Sequence, residues 1–170
     1  MLFIYRIFIS FVLFLSPLIV LFRIYRKKED IKRFKEKFSF FTSKRKKGKI
    51  IWFHGASVGE IRSVIPLLEK FEKNKNISQI LITSNTLSSS KIISNIKLKK
   101  VVHQFFPIDA KFISNRFLNY WKPEVAFFID SEIWPNMILN LNDKQIPIIL
   151  VNGRITKKSF SRWIIFKSFS

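Results

Sequence analysis

The sequence predicts an α/β fold, with a parallel sheet flanked by helices and one transmembrane helix ahead of it. Three observations predict it. Short apolar runs alternate with amphipathic helical patterns from residue 49 onward. A nearly uncharged apolar stretch fills residues 2–22. The residues with chemical character cluster just after the apolar runs, where an open parallel sheet keeps its ligands.

Leu2 to Phe22 carries one charge, Arg6, and one helix breaker, Pro17. A span of about 20 apolar residues is long enough to cross the hydrocarbon core as a helix. Arg6 lies near one end, where its long side chain can reach the interface, and Tyr5 and Tyr25 bracket the span. A signal peptide would carry its charges ahead of the apolar run and small residues at a cleavage site. Here the charges follow the run and no Ala-x-Ala occurs. A buried core helix is seldom apolar all round over this length.

The chain carries 31 Lys and Arg against 11 Asp and Glu, a net +20 that invites nucleic-acid or anionic-membrane readings. Half of the excess sits in Arg23 to Lys49, with 13 basic and 3 acidic residues. The positive-inside rule puts this stretch in the cytoplasm and residues 1–5 outside. It can bind anionic headgroups or serve as a solvated topology signal alone. Lys44 to Lys49 reads as a linker into the globular part. No nucleic-acid-binding signature accompanies the charge, and the Lys-, Ile-, Asn- and Phe-rich composition explains part of it.

In the globular part, Lys49 to His54 reads as a strand, and Glu60 to Lys73 as a helix with Ile61, Val64, Ile65 and Leu68 on one side. Gln79 to Thr83 is a second strand, Ser88 to Ile96 a helix, and Val101 to Phe105 a third strand. Lys111 to Trp121 is a helix that stops before Pro123, and Val125 to Ile129 a fourth strand. Pro135 opens a short helix to about Leu141. Pro147 to Val151 is a fifth strand, apolar enough to be buried on both faces, and Thr156 to Phe169 can begin another helix.

Candidate chemistry lies at the strand ends. Ser57 and Glu60 have capping-box spacing, a purely structural role. The same geometry holds a carboxylate where the helix dipole favours its ionised form, ready to take a proton from a hydroxyl. Gly55 and Gly59 can let a ligand approach the backbone. His54 can touch substrate, whereas His103 reads as core or surface. Glu132 in the next rim loop is a second carboxylate or a neighbour of a capped helix start. Trp134 packs or walls a pocket, Asn136 caps or binds a polar ligand, and Arg154 binds an anion or is simply exposed. Thr83 to Ser90 can hydrogen-bond a sugar or phosphate, or serve as loop and cap. The two histidines form no metal pattern, and without cysteine there is no thiolate site. Dinucleotide, nucleotide-triphosphate and esterase motifs are missing from the sequence.

Taken in order, the apolar segment, Trp52-Phe53-His54-Gly55-Ala56-Ser57-Val58-Gly59-Glu60, Ser131-Glu132-Ile133-Trp134-Pro135-Asn136 and Val151-Asn152-Gly153-Arg154 resemble the 3-deoxy-D-manno-octulosonic acid (Kdo) transferases of lipopolysaccharide assembly. The resemblance implies the amino-terminal half of a metal-independent GT-B glycosyltransferase that needs no cofactor. Its Rossmann-like first domain binds the lipid A precursor, and a second domain binds the donor CMP-Kdo. It implies Glu60 as general base and Glu132 as a second active-site carboxylate. Members usually carry Ala or Val where Gly55 stands and Ala where Gly153 stands. They are more than twice as long. The expected organisation is therefore 1–22 membrane anchor, 23–48 basic juxtamembrane segment and linker, and 49–170 acceptor-binding domain, with the donor domain absent. Expected substrate-binding residues are His54, Gly55, Ser57, Gly59, Asn136 and Arg154. The expected location is the inner membrane, globular part in the cytoplasm, with anionic lipids as further partners and no nucleic acid. The alternative is a non-catalytic, membrane-anchored module that binds anionic lipid.

Overall fold

A computed structural model describes residues 2–130 and 133–153. Helix α1 (Leu2–Tyr25) is followed by a 3₁₀ helix (Phe34–Phe38), then β1 (Lys49–His54), α2 (Val58–Glu72), β2 (Ile77–Ser84), α3 (Leu87–Ser94), β3 (Val101–Phe105), α4 (Lys111–Trp121), β4 (Val125–Ile129), α5 (Pro135–Asp143) and β5 (Ile148–Val151). The five strands form one sheet in the order β3-β2-β1-β4-β5, every neighbouring pair parallel. This is the predicted α/β architecture. The order reverses between β1 and β4, which opens a crevice at their carboxyl ends.

Alternation along β1 divides the core. Ile50 and Trp52 join Phe117, Trp121, Phe128, Met137 and Leu141 under α4 and α5. Ile51 and Phe53 join Ile61, Val64, Leu68, Ile93 and Phe127 under α2 and α3. Both faces of the central strands are thus covered, as continuous apolar runs require. β5 departs from that expectation. Among the described residues it pairs with β4 alone, and Leu150 is 55% exposed.

The basic segment also differs from a solvated linker. Glu36 is fully buried and accepts bonds from Arg33 Nε (2.8 Å), Arg33 Nη2 (2.9 Å) and the Phe105 amide (2.7 Å) as well as from the Thr42 hydroxyl. Phe41 stacks on Tyr120 with centroids 3.7 Å apart. The Lys46 amide donates to Gln79 Oε1 and the Gln79 amide donates to the Lys44 carbonyl, at 2.9 and 3.0 Å. Residues 33–46 are therefore packed against the α/β unit. The helix expected for residues 156–169 lies outside the described residues.

α1 is long and apolar enough to cross a membrane. One face rests on the α/β unit through Tyr5, whose hydroxyl donates to Asp109 Oδ2 (2.7 Å), and Arg6, whose Nε donates to Asn136 Oδ1 (3.1 Å).

Candidate active site at the switch point

The loops after β1 and β4 flank the crevice where the strand order reverses, and these loops contain the two sequence motifs. After β1 the chain turns directly into α2. Ser57 is the N-cap, extended at φ −110°, and its hydroxyl accepts the Glu60 amide at 3.3 Å. Glu60 Oε2 in turn accepts the Ala56 amide at 2.7 Å. The capping role is thus realised, shifted by one residue from the usual box, in which the side chain reaches the N-cap amide itself. One carboxylate oxygen is committed; among the described residues the other has no hydrogen-bond partner. Glu60 is half-buried, with exposed Ser57 and Gly59 beside it.

The two glycines differ. A Cβ at Gly55 would lie 3.1 Å from Ile129 Cδ1, 3.1 Å from Ile61 Cδ1 and 3.2 Å from Glu60 Cβ. Its smallness therefore lets β1, β4 and α2 close together, and the residue is buried. A Cβ at Gly59 would meet only Ser57 Oγ, at 3.9 Å, so the backbone there faces open space. Gly59, not Gly55, has the room a ligand needs.

His54 is fully buried at the end of β1. Trp134 Nε1 donates to His54 Nε2 at 3.2 Å. An indole nitrogen can only donate, so Nε2 accepts and the proton sits on Nδ1, which faces Thr83 Oγ1 at 3.0 Å. The imidazole also stacks on Phe106, with centroids 3.8 Å apart. His54 thereby joins the β1 loop to the β4 loop, and Trp134 both packs and walls a cavity of about 340 Å³ beneath α1.

Asn136 is buried and committed on three sides. Its amide donates to Asp109 Oδ2 at 3.0 Å, its Nδ2 donates to the Asp109 carbonyl at 2.6 Å, and its Oδ1 accepts from Arg6. Asp109 Oδ1 accepts the Met137 amide at 2.7 Å. α5 has no cap from its own N-cap residue, Trp134. Asp109, from the loop after β3, supplies one in its place, with its charge at the helix N-terminus. Burial pushes the Asp109 carboxyl above its ordinary value, and the bonds from Tyr5, Asn136 and Met137 pull the other way without overcoming it. Sequence reading missed Asp109 as an organiser, because its partners lie 27, 28 and 104 residues away.

His103 is held by Arg33, whose Nη2 donates to its carbonyl and faces its Nδ1, both at 2.9 Å. Guanidinium cannot accept, so Nδ1 accepts and Nε2–H points to Ser84 Oγ, 2.9 Å away. Burial first and the Arg33 charge second lower its pKa to about 3, so it stays neutral. Glu132 and Arg154 lie outside the described residues, as does Ser131. Among the described residues no group of three His, Cys, Asp or Glu could hold a metal ion.

The family described as 3-deoxy-D-manno-octulosonic-acid transferase (kdotransferase) matches residues 32–170, which covers both flanks of this crevice. The chain belongs to the Kdo transferase family. It is 40% identical over 163 residues to a 3-deoxy-D-manno-octulosonic acid transferase of Rickettsia bellii, covering 95% of this chain and 39% of that protein. It is 37% identical over 164 residues to the Arabidopsis thaliana protein named "Probable 3-deoxy-D-manno-octulosonic acid transferase, mitochondrial", covering 95% and 37%. A Haemophilus influenzae relative of the same activity name is 30% identical over 113 residues, 66% of this chain and 26% of that protein. The chain thus spans less than two-fifths of the length of these relatives.

Proposed function

We propose that these residues form the acceptor-binding, base-supplying part of a glycosyltransferase that moves Kdo from CMP-Kdo to the lipid A precursor. The observation that carries the reading is Glu60: a carboxylate at the switch-point rim, held through one oxygen by the Ala56 amide, beside the open backbone of Gly59. The free oxygen takes the proton of an acceptor sugar hydroxyl. The hydroxyl oxygen then forms a bond to the anomeric carbon of Kdo, and the bond from that carbon to the CMP phosphate oxygen breaks, its electrons leaving with CMP. Ser57 and Gly59 line the approach to Glu60. His54 and Asn136 tie the Trp134–Asn136 end of the second motif to β1 and to the loop after β3, and Glu132 is the second carboxylate of this reading. Arg154 binds an anionic group of donor or acceptor. The donor is held by residues beyond these 170, in keeping with the length of the relatives. The protein works at the cytoplasmic face of the inner membrane, where α1 and the basic residues beside it meet anionic lipid.

The test is Glu60→Gln in an enzyme of full family length. Removing a general base typically costs about 10²- to 10⁴-fold in rate. The expected result is a loss of that order in kcat, with KM for the acceptor little changed. Near-normal transfer would sink the base assignment. Retained binding of lipid A precursor with no turnover even by the parent enzyme would favour a non-catalytic lipid-binding module instead.

A further inference from the structure

α1 is fastened near its start to the α/β unit and near its end to the basic segment that packs on that unit. Near its start, Tyr5 bonds Asp109 and Arg6 bonds Asn136. Near its end, Arg23 Nε donates to Glu29 Oε2 at 2.8 Å, and the same oxygen takes Lys37 Nζ at 2.5 Å. Glu29 is only 6% exposed, so this second fastening is built into the docked basic segment. Between the two, Ile9, Val12 and Val20 face Phe106, Ile108 and Trp134 across the cavity at the rim.

At about 100° per residue, Tyr5, Ile9, Val12, Ser16, Val20 and Arg23 fall on one side of the helix. Phe3, Ile7, Phe14, Leu18 and Tyr25 fall on the opposite side, and all are exposed. The helix therefore has a protein-facing stripe and a bare apolar stripe along its whole length.

A spanning helix cannot keep both fastenings. Tyr5 and Arg23 are 18 residues apart, about 27 Å along the axis, close to the roughly 30 Å hydrocarbon core. Crossing would carry Tyr5 and Arg6 to the far interface and strip them from Asp109, in the loop after β3, and Asn136, in the first turn of α5, both of which are buried. Lying in one leaflet breaks none of these bonds. Arg26, Lys27, Lys28, Lys32 and Lys35, all exposed, follow the helix and complement anionic headgroups.

We propose that α1 lies in the plane of one leaflet of an anionic phospholipid bilayer, with its bare stripe in the acyl region and its other stripe on the carboxyl-end rim of the sheet. The rim, and with it the crevice, is then held at headgroup level. This rests on the membrane reading of α1 and not on the transferase chemistry.

The chain has no cysteine, so single-cysteine variants can be made directly. The experiment places nitroxide labels at Phe3→Cys, Phe14→Cys, Leu18→Cys and Tyr25→Cys of the whole chain in phosphatidylethanolamine–phosphatidylglycerol vesicles. Depth is read from relaxation by oxygen against a water-soluble nickel chelate. An in-plane helix gives all four labels a common shallow depth, about 5–10 Å. A spanning helix gives shallow ends and a centre about 15 Å deep, and that profile overturns the proposal. Protein that does not sediment with the vesicles overturns it too. So do labels shielded from oxygen that broaden one another, because they would show that a second copy covers the stripe. A Glu60 variant inactive in transfer but shallow at all four positions separates this proposal from the catalytic one.

Discussion

Asp109→Ala is the substitution whose consequences the structure specifies most fully. The carboxylate is 1% exposed and accepts from the Tyr5 hydroxyl and from the amides of Asn136 and Met137. Hydrogen bonds to a charged group contribute about 1.5–3 kcal/mol each, and an N-cap alone about 0.5–2 kcal/mol. The three bonds share one acceptor and are not additive, and water can reach the adjoining cavity, so a loss of about 3–5 kcal/mol is expected. That is a large share of the roughly 5–15 kcal/mol that holds a domain folded. Asp109→Asn keeps one acceptor oxygen but loses the charge at the helix N-terminus, for about 1–2 kcal/mol. Tyr5→Phe removes only the phenol bond, for about 1 kcal/mol. Urea titration of the whole chain in mild detergent, followed by tryptophan fluorescence, ranks the three. A loss below about 1 kcal/mol for Asp109→Ala, or equal losses for Asp109→Ala and Tyr5→Phe, would refute the capping argument.

Glu36→Ala leaves Arg33 without its buried partner, which typically costs about 3–5 kcal/mol, and trypsin should then cut at Lys35 and Lys37 much faster; an unchanged cleavage rate counts against the docked segment. His103 has a folded pKa of about 3 against an ordinary 6.5, so its contribution is fully present above pH 6.5 and is lost as pH falls toward 3. The loss by pH 5 is about 2 kcal/mol, measured as a falling urea midpoint that His103→Gln flattens. Asp109 acts in the opposite direction, because its raised carboxyl stabilises as it takes up its proton, so the comparison with His103→Gln isolates the histidine's share. Gly59→Ala, in the first turn of α2, should gain up to about 1 kcal/mol of stability. In a full-length enzyme it should raise KM for the acceptor, and an unaltered KM would show that the open backbone is not on the ligand's path.

Local signals located most of the fold. Val101–Phe105, Lys111–Trp121 and Val125–Ile129 have the boundaries read from the sequence, because each ends within two residues of Pro107, Pro123 or the polar Asp130. Strand order was not legible, since pairing β1 with both β2 and β4 is a tertiary choice. Reading Pro147 to Val151 as buried on both faces differs from what the described residues show, where β5 has β4 alone beside it, because hydrophobicity does not report whether a strand has a second neighbour. Of the site, the Ser57–Glu60 spacing was legible because a cap is local, and the crowding at Gly55 was not, because Ile129 arrives from β4. Glu36 was hidden inside a basic run. The Arg33–Glu36 spacing and the aromatic residues at 38, 40 and 41 were the available signs that this run packs.

The fastening of α1 and the start of α5 share one carboxylate. Tyr5 and the Asn136 amide meet on Asp109 Oδ2, and Arg6 bonds the Asn136 side chain. α5 begins at Pro135, directly after Trp134, which donates to His54 at the end of β1. A continuous series of bonds thus runs from the apolar helix through Asp109, Asn136 and Trp134 to His54, four residues before the start of α2, whose first turn carries Glu60. Pulling α1 away would remove Tyr5 and Arg6 together and leave a buried carboxylate to hold two helix amides alone. The amides would still be capped, so α5 would persist, but its first turn would lose the contacts that fix it from the α1 side. The first turn of α5 is therefore sensitive to how α1 sits. Because that turn and Trp134 before it form the end of the second motif, the position of the helix and the geometry of Trp134 to Asn136 are a single structural problem.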